Sequence, residues 1–179
     1  GEKVKVVDSR DEPPGLAALK ERYPDVEYEL GDFNLETFLT AKELVVSPGL
    51  SIRSPEIEAA KQAGVPITGD IDIFSKQAGS PIIAVTGSNG KSTVVAILAE
   101  ILRKAGKNFG LGGNLDGDNF KPALDLILEG EKELYLLELS SFQLETTESL
   151  GAAVATILNL SADHMDRYDG IDDYHRAKL

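Results

Sequence analysis

The segment AVTGSNGKST, Ala84 to Thr93, follows an apolar run and opens a long amphipathic stretch, the setting a phosphate-gripping loop requires. In such a turn successive backbone N–H groups converge on an anion and the start of the following helix adds partial positive charge. Here Thr86, Gly87, Ser88, Asn89, Gly90, Lys91, Ser92 and Thr93 would line the site, with Lys91 reaching the β/γ-phosphates and the Ser92 hydroxyl available to Mg²⁺. In the usual G-x-x-x-x-G-K-[ST] pattern the first glycine would fall at Val85, whereas this chain supplies Gly87, so the loop is a shorter variant. An ordinary strand-to-helix turn is the competing reading. A second group lies in LYLLELSSFQLE, where Glu138 ends an apolar run and an acid could hold Mg²⁺ beside phosphates or pair with a neighbouring lysine. A third is NLSADHMDRY, Asn159 to Tyr168, with Asp163, His164 and Asp166 within four positions, a pattern for metal binding or proton transfer or for a hydrogen-bonded surface loop.

These groups need strands and helices to carry them. Strand-like runs are expected at Val4–Val7, Val26–Leu30, Leu44–Ser47, Val65–Thr68, Pro81–Val85, Leu134–Leu139 and Ala153–Leu158. Helical patterns lie between them, which makes the class α/β with parallel sheets. Ser54 and Pro55 start one helix and Gly64 stops it. Lys91–Ala105 is a longer helix whose Val94, Ile97, Leu98, Ile101, Leu102 and Ala105 are expected to face the sheet. The polar stretch Ser75–Ser80 reads as a link, placing a domain boundary near residue 79. No Gly-rich turn precedes Val4, and the helical pattern Asp172–Leu179 has no stop signal, so a fragment is expected.

Composition narrows the classes. The 179 residues hold 18 Lys+Arg and 30 Asp+Glu, a net charge of −12, which argues against non-specific binding to nucleic acid or an anionic membrane. With no Cys, thiolate chemistry and Cys-bound zinc are excluded. Apolar runs such as Val94–Ala99 are far shorter than the roughly 20 residues that span a bilayer, and GEKVKVVDSR is not a signal peptide. A cytoplasmic location is expected.

TGSNGKST, GLGGN, LELSSFQLETT, TILNLSADHMDRY and YHRAKL, in this order and at these spacings, resemble the Mur ligases of peptidoglycan synthesis, and ELSSFQLETT beside DHMDRY is most similar to their D-glutamate-adding branch. The phosphate loop alone is shared with folylpolyglutamate synthases. The resemblance implies a Rossmann-like unit over 1–79 that binds a UDP-linked substrate, then the front of a P-loop NTPase-like ATP domain over 80–179. It implies that Asp8, Ser9 and Arg10 contact uracil and that the turn at Ser47 faces the substrate's phosphates, each with a plain turn as the alternative. It makes Lys91 and Ser92 contacts of ATP and Mg²⁺ and Glu138 a metal ligand. Asn114 and His164 become contacts of substrate and of a second Mg²⁺, and Ser140 and Gln143 line the substrate groove. Lys178 matches a lysine that carries a carbamate, which needs a deprotonated amine and hence burial or nearby cations; without the resemblance it reads as a surface lysine.

The activity that the resemblance implies joins D-glutamate to UDP-N-acetylmuramoyl-L-alanine through an acyl phosphate, with ATP and two Mg²⁺ ions, and a monomer is expected. A folate ligase and a non-catalytic nucleotide-binding module are the alternatives, and these 179 residues alone are expected not to turn over. One departure from the family is GGNLDGDNFKPALDLI, a longer loop after Asn114 in which Asp116 and Asp118 add negative charge.

Overall fold

The computed structural model describes residues 3–114 and 121–179, so the longer loop carrying Asp116 and Asp118 lies outside the described residues. Along the chain the elements are β1 (Lys5–Asp8), α1 (Leu16–Arg22), β2 (Glu27–Leu30), α2 (Leu35–Thr40), β3 (Leu44–Val45), α3 (Pro55–Gln62), β4 (Ile67–Thr68) and α4 (Asp70–Gln77). They continue with β5 (Ile82–Thr86), α5 (Lys91–Lys104), β6 (Phe109–Gly113), α6 (Ala123–Ile127), β7 (Leu134–Glu138), α7 (Ser141–Leu144), β8 (Val154–Ile157) and α8 (Ile171–Arg176). The α/β class with parallel sheets is present throughout.

Contacts divide the chain into two units, Gly1–Lys42 with Arg53–Val65, and Glu43–Ile52 with Pro66–Leu179. In the first unit β1 and β2 pair in parallel, Lys5 opposite Glu27 and Asp8 opposite Leu30. Phe38 of α2 and Ile57 and Ala60 of α3 are buried, and Phe33 packs on Phe38 with centroids 5.1 Å apart. The helix expected after Ser54 forms with Pro55 at its first position, but the Ser54 side chain makes no capping hydrogen bond. Gly64 follows with φ +85°, the left-handed stop its position predicts.

The second unit is built on a parallel sheet in the order β6-β7-β5-β8, with β3 and β4 forming a separate parallel pair. Period-two alternation sorts its core. Ile82 and Ala84 of β5 and Tyr135 and Leu137 of β7 join Ile71 and Phe74 of α4 and Ala123 and Leu126 of α6 in one cluster. The intervening Val85 and Leu136 join Val95 and Ala99 of α5 in another. Phe74 meets Tyr135 edge-on, centroids 4.9 Å apart. Helices on both faces of a parallel sheet are what buried, β-branched strands demand.

Three local expectations are corrected. The stripe on α5 is rotated: Val95 and Ala99 are buried and Val94, Leu98 and Leu102 lean on the core, while Ile97 and Ile101 are each 56% exposed and Ala105 is exposed. The expected stripe was centred one position away from the Val95–Ala99 pair, which also recurs at helical spacing. The stretch taken for a link is helical as far as Gln77, because Ile71 and Phe74 anchor α4 in the core and leave its polar residues outside. The third and fourth strands are two residues each, Leu44–Val45 and Ile67–Thr68, shorter than the apolar runs that mark them.

Candidate nucleotide site

All four strands of the larger sheet run in one direction, so their C-terminal ends form one rim. The connections from β5 lead to one side through β6 and β7 and then cross to β8 on the other. Ligands of open α/β sheets bind at such a switch point. Thr86, Gly113, Glu138 and Ile157 end their strands there.

Gly87 to Gly90 form the turn from β5 into α5. Gly87 has φ +142°, and a Cβ on it would stand 3.2 Å from the backbone nitrogen of Leu158, so only glycine lets the turn lie this close to the chain leaving β8. Lys91 opens α5 and folds back, donating from Nζ to the carbonyls of Gly87 (2.9 Å) and Ser88 (3.1 Å). Its charge therefore sits over the loop. The first N–H groups of α5, from Lys91, Ser92 and Thr93, have no partner within the helix by helical geometry and face that same region.

Glu138 shares the parity of Leu136 along β7, which turns its side chain to the α5 face of the sheet. It is 3% exposed, and Ser92 Oγ donates to its Oε2 at 2.8 Å. A buried carboxylate and a hydroxyl at the phosphate loop are hard oxygen donors. Mg²⁺ is bound by one or two such groups together with substrate phosphates and water, so this pair suits it without further protein ligands. Among the described residues no group of three or more His, Asp or Glu is gathered as a metal cage.

Lys178, just past α8, is 6% exposed. Its Nζ donates to Thr86 Oγ1 at 3.3 Å, the Thr86 hydroxyl donates in turn to the carbonyl of Leu139 at 2.7 Å, and the amine lies 5.0 Å from the Tyr174 ring centre. Burial, with the nearby Lys91 charge, pushes the amine down to about 8, against a smaller upward pull from Asp163. This is the environment that carbamate formation asks of a lysine.

His164 is 47% exposed on its side chain and has φ +53°, uncommon outside glycine. Its N–H is held by Asp163 Oδ1 at 3.0 Å and its ring leans on Phe142, centroids 4.7 Å apart. Arg167 also packs over the Phe142 ring, its guanidinium carbon 3.9 Å from the ring centre. It also donates to Glu145 Oε2 at 2.6 Å and to the carbonyls of Pro48 (2.9 Å) and Leu50 (3.2 Å). The turn that begins at Ser47, closed by Leu50 N–H to Ser47 O at 3.0 Å, is thereby tied to the segment bearing His164. Asn114 is exposed beside Glu138, donating its N–H to the Glu138 carbonyl at 2.8 Å.

Two expected substrate residues have internal partners. Ser140 and Gln143 form a capping box at the start of α7, and Gln143, buried, also donates from Nε2 to Asp70 at 3.0 Å. In the first unit Asp8 ends β1 and binds Arg10 with both carboxylate oxygens, at 2.8 and 2.7 Å, which holds the acid down to about 2; Ser9 is exposed between them. Sequence reasoning overlooked Arg167, Glu145, Tyr174 and Asn159. An arginine closing the run DHMDR was the available signal for the first of them.

A phosphate loop, a strand-end acid facing it and a parallel sheet around both define a P-loop nucleotide-binding α/β protein. Residues 1–69 match the family described as Mur ligase MurD-like, N-terminal domain, and residues 85–179 match the Mur ligase middle domain. The chain belongs to the Mur ligase family. It is 54% identical over 173 residues to a UDP-N-acetylmuramoylalanine--D-glutamate ligase of Pseudomonas aeruginosa, covering 97% of this chain and 38% of that protein. With the enzyme of the same name from Marinobacter nauticus it shares 54% over 178 residues, 99% of this chain and 39% of that one. The chain thus spans well under half the length of these relatives. Among solved structures, the UDP-N-acetylmuramate:L-alanyl-gamma-D-glutamyl-meso-diaminopimelate ligase of Neisseria meningitides matches in fold, with TM-score 0.58 and 19% identity over 97% of this chain and 58% of that one. No helix among the described residues is long and apolar enough to cross a membrane.

Proposed function

We propose that the protein containing this chain is the cytoplasmic, ATP-dependent ligase that adds D-glutamate to UDP-N-acetylmuramoyl-L-alanine, working as a monomer. Residues 1–69 supply the domain for the UDP-linked substrate and residues 85–179 the front of the ATP domain, with α4 packed into the core of the latter. The observation that carries the ATP part is the Ser92–Glu138 contact of 2.8 Å directly beside the loop that Lys91 covers. The choice of D-glutamate rests on the 54% identity to ligases of that name.

In this reading the L-alanyl carboxylate attacks the γ-phosphate of ATP, giving an acyl phosphate and ADP, and the amine of D-glutamate then displaces phosphate. Both steps bring anionic oxygens together, so counter-charge and positioning supply most of the acceleration. The N–H groups of Gly87–Thr93 hold the phosphates, and Lys91 leaves its carbonyl partners to meet them. Thr86 sits behind the loop as acceptor for Lys178. Ser92 and Glu138 would hold one Mg²⁺, which would supply charge neutralisation at the phosphates. His164 and a carbamate on Lys178 would hold a second, the buried and readily deprotonated amine being suited to react with CO₂. Asn114 and the Ser47 turn face the substrate's phosphates, with Ser140 and Gln143 shaping the floor of that groove. Asp8, Ser9 and Arg10 receive the uracil, which requires Arg10 to share Asp8 with the ligand.

Calorimetric titration of the 179-residue chain with ATP tests the core of this reading. Binding is expected in the presence of Mg²⁺, to weaken when the metal is chelated, and to lose that metal dependence in Glu138→Ala. ATP binding indifferent to both changes would defeat the proposed site. UDP-N-acetylmuramoyl-L-alanine is expected to bind and a folate not to. Phosphate release with all three substrates is expected to be absent from this chain alone, and steady release would overturn that expectation.

A further inference from the structure

The phosphate loop does not stand free above the sheet. The ladder between β5 and β8 continues past the paired strands: Leu158 N–H donates to Thr86 O at 3.0 Å, and Ser88 N–H donates to Asn159 O at 3.0 Å. The Asn159 side chain then closes on the next residue. Its Oδ1 accepts from Asn89 N–H at 2.9 Å and its Nδ2 donates to Asn89 O at 2.8 Å. A primary amide carries a donor and an acceptor side by side, so it satisfies one residue's N–H and C=O together, as an adjoining strand would.

Ser161 extends the contact. Its N–H donates to Ser88 Oγ at 3.0 Å, and Asn89 Nδ2 donates to its Oγ at 3.3 Å. Ser88 Oγ also lies 2.9 Å from both the Ser161 carbonyl and the Tyr174 hydroxyl. Both ends of this clasp are attached to rigid elements, since Tyr174 is buried in α8 and Thr86 closes β5.

Gly90, with φ +83°, is the single residue between Asn89 and the start of α5. The orientation of the Asn89 peptide therefore sets the direction in which the N–H groups of Gly90, Lys91 and Ser92 emerge. We propose that Asn159 is a positioning residue for the nucleotide phosphates: by holding the Asn89 peptide from both sides it fixes the angle of the amide cradle, while touching no phosphate itself. This rests on reading Gly87–Thr93 as a triphosphate site. Asn159 is also five residues from His164, so the clamp ties the ATP loop to the start of the segment that carries the histidine.

The test uses the 179-residue chain, Mg·ATP titrations well below the unfolding midpoint, and amide hydrogen exchange read by NMR. In the unliganded wild type the Asn89 N–H is expected to exchange slowly, and Asn159→Ala should release it. The same variant is expected to bind Mg·ATP about tenfold more weakly, the effect of leaving the Asn89 N–H and C=O without their side-chain partner in a site where that residue orients the rest. Asn159→Gln keeps the amide but displaces it by one methylene. It is expected to weaken binding as well, and it serves in place of the alanine variant if that one does not fold. Wild type that binds Mg·ATP while both folded variants bind it equally well would overturn the clamp and leave the nucleotide site standing. Wild type that does not bind Mg·ATP at all would remove the site and the clamp with it. A role confined to stability would lower the unfolding midpoint and leave the affinity of the folded variant unchanged, which also overturns the proposal.

Discussion

An amine buried at Lys178 costs stability while it is charged, and the sign of that cost is measurable. Its pKa in the folded chain is about 8, below the ordinary 10.5, so the folded state gives up the proton before the unfolded state does. Below pH 8 both states are protonated and the folded one bears the full desolvation penalty. Between pH 8 and 10.5 the penalty is relieved as the folded amine becomes neutral. In CO₂-free buffer, urea unfolding should therefore show wild type gaining on Lys178→Met as pH rises through that window. The expected gain is on the order of 3 kcal/mol. A constant difference across the window would mean that the amine is hydrated. Labelled bicarbonate should, conversely, give a carbamate carbon signal in wild type that is absent from the Met variant. Nothing in the local sequence announced this burial, since Lys178 lies 92 positions from the threonine that receives it. Glu138 was legible because an acid that closes a continuous apolar run stands at the carboxyl end of a buried strand, the rim where ligands of open α/β sheets bind.

Elements with a dense apolar core were readable, and those held by a few long-range contacts were not. β5 and β7 announce themselves because both faces are buried, whereas β6 reads FGLGG, and its glycines hide it from any pattern of side chains. Gly113 is needed there, with φ +98° and the carbonyl of Glu138 where a Cβ would stand. The loop after β8 is similar: Arg167 reaches Glu145, 22 positions back, and the turn after β3, more than a hundred positions back. With side-chain exposures of 10% and 6%, that ion pair is buried, and removing one partner leaves an uncompensated charge. Arg167→Ala is expected to destabilise the chain by about 3 kcal/mol in urea unfolding, with a smaller loss in Arg167→Met/Glu145→Leu, where neither charge remains. Equal losses in the two would mean that the carbonyls of Pro48 and Leu50, rather than Glu145, are what Arg167 serves.

Across the whole molecule two opposed surface properties decide how copies of this chain behave toward one another. The net charge of −12 repels. The apolar surface attracts: on α5 Ile97 and Ile101 point outward, and on β8, at one end of the sheet order, Val154 and Ile157 are exposed although parallel strands are normally covered on both faces. An exposed strand at the end of a sheet also offers unpaired N–H and C=O groups to another chain. Repulsion between exposed charges is screened within about 10 Å at 0.1 M salt and about 3 Å at 1 M, while apolar attraction is not weakened by salt. Light scattering should therefore report little association of the 179-residue chain at low ionic strength and increasing association as salt is raised. Val154→Lys places a charge on the exposed strand in the manner of natural strand edges and touches neither core cluster. It is expected to suppress the salt-induced association without lowering the unfolding midpoint. Ile97→Lys on α5 separates the helix from the strand as the sticky element. Association that falls as salt rises would instead show that charge pairing between copies, not the apolar edge, brings them together.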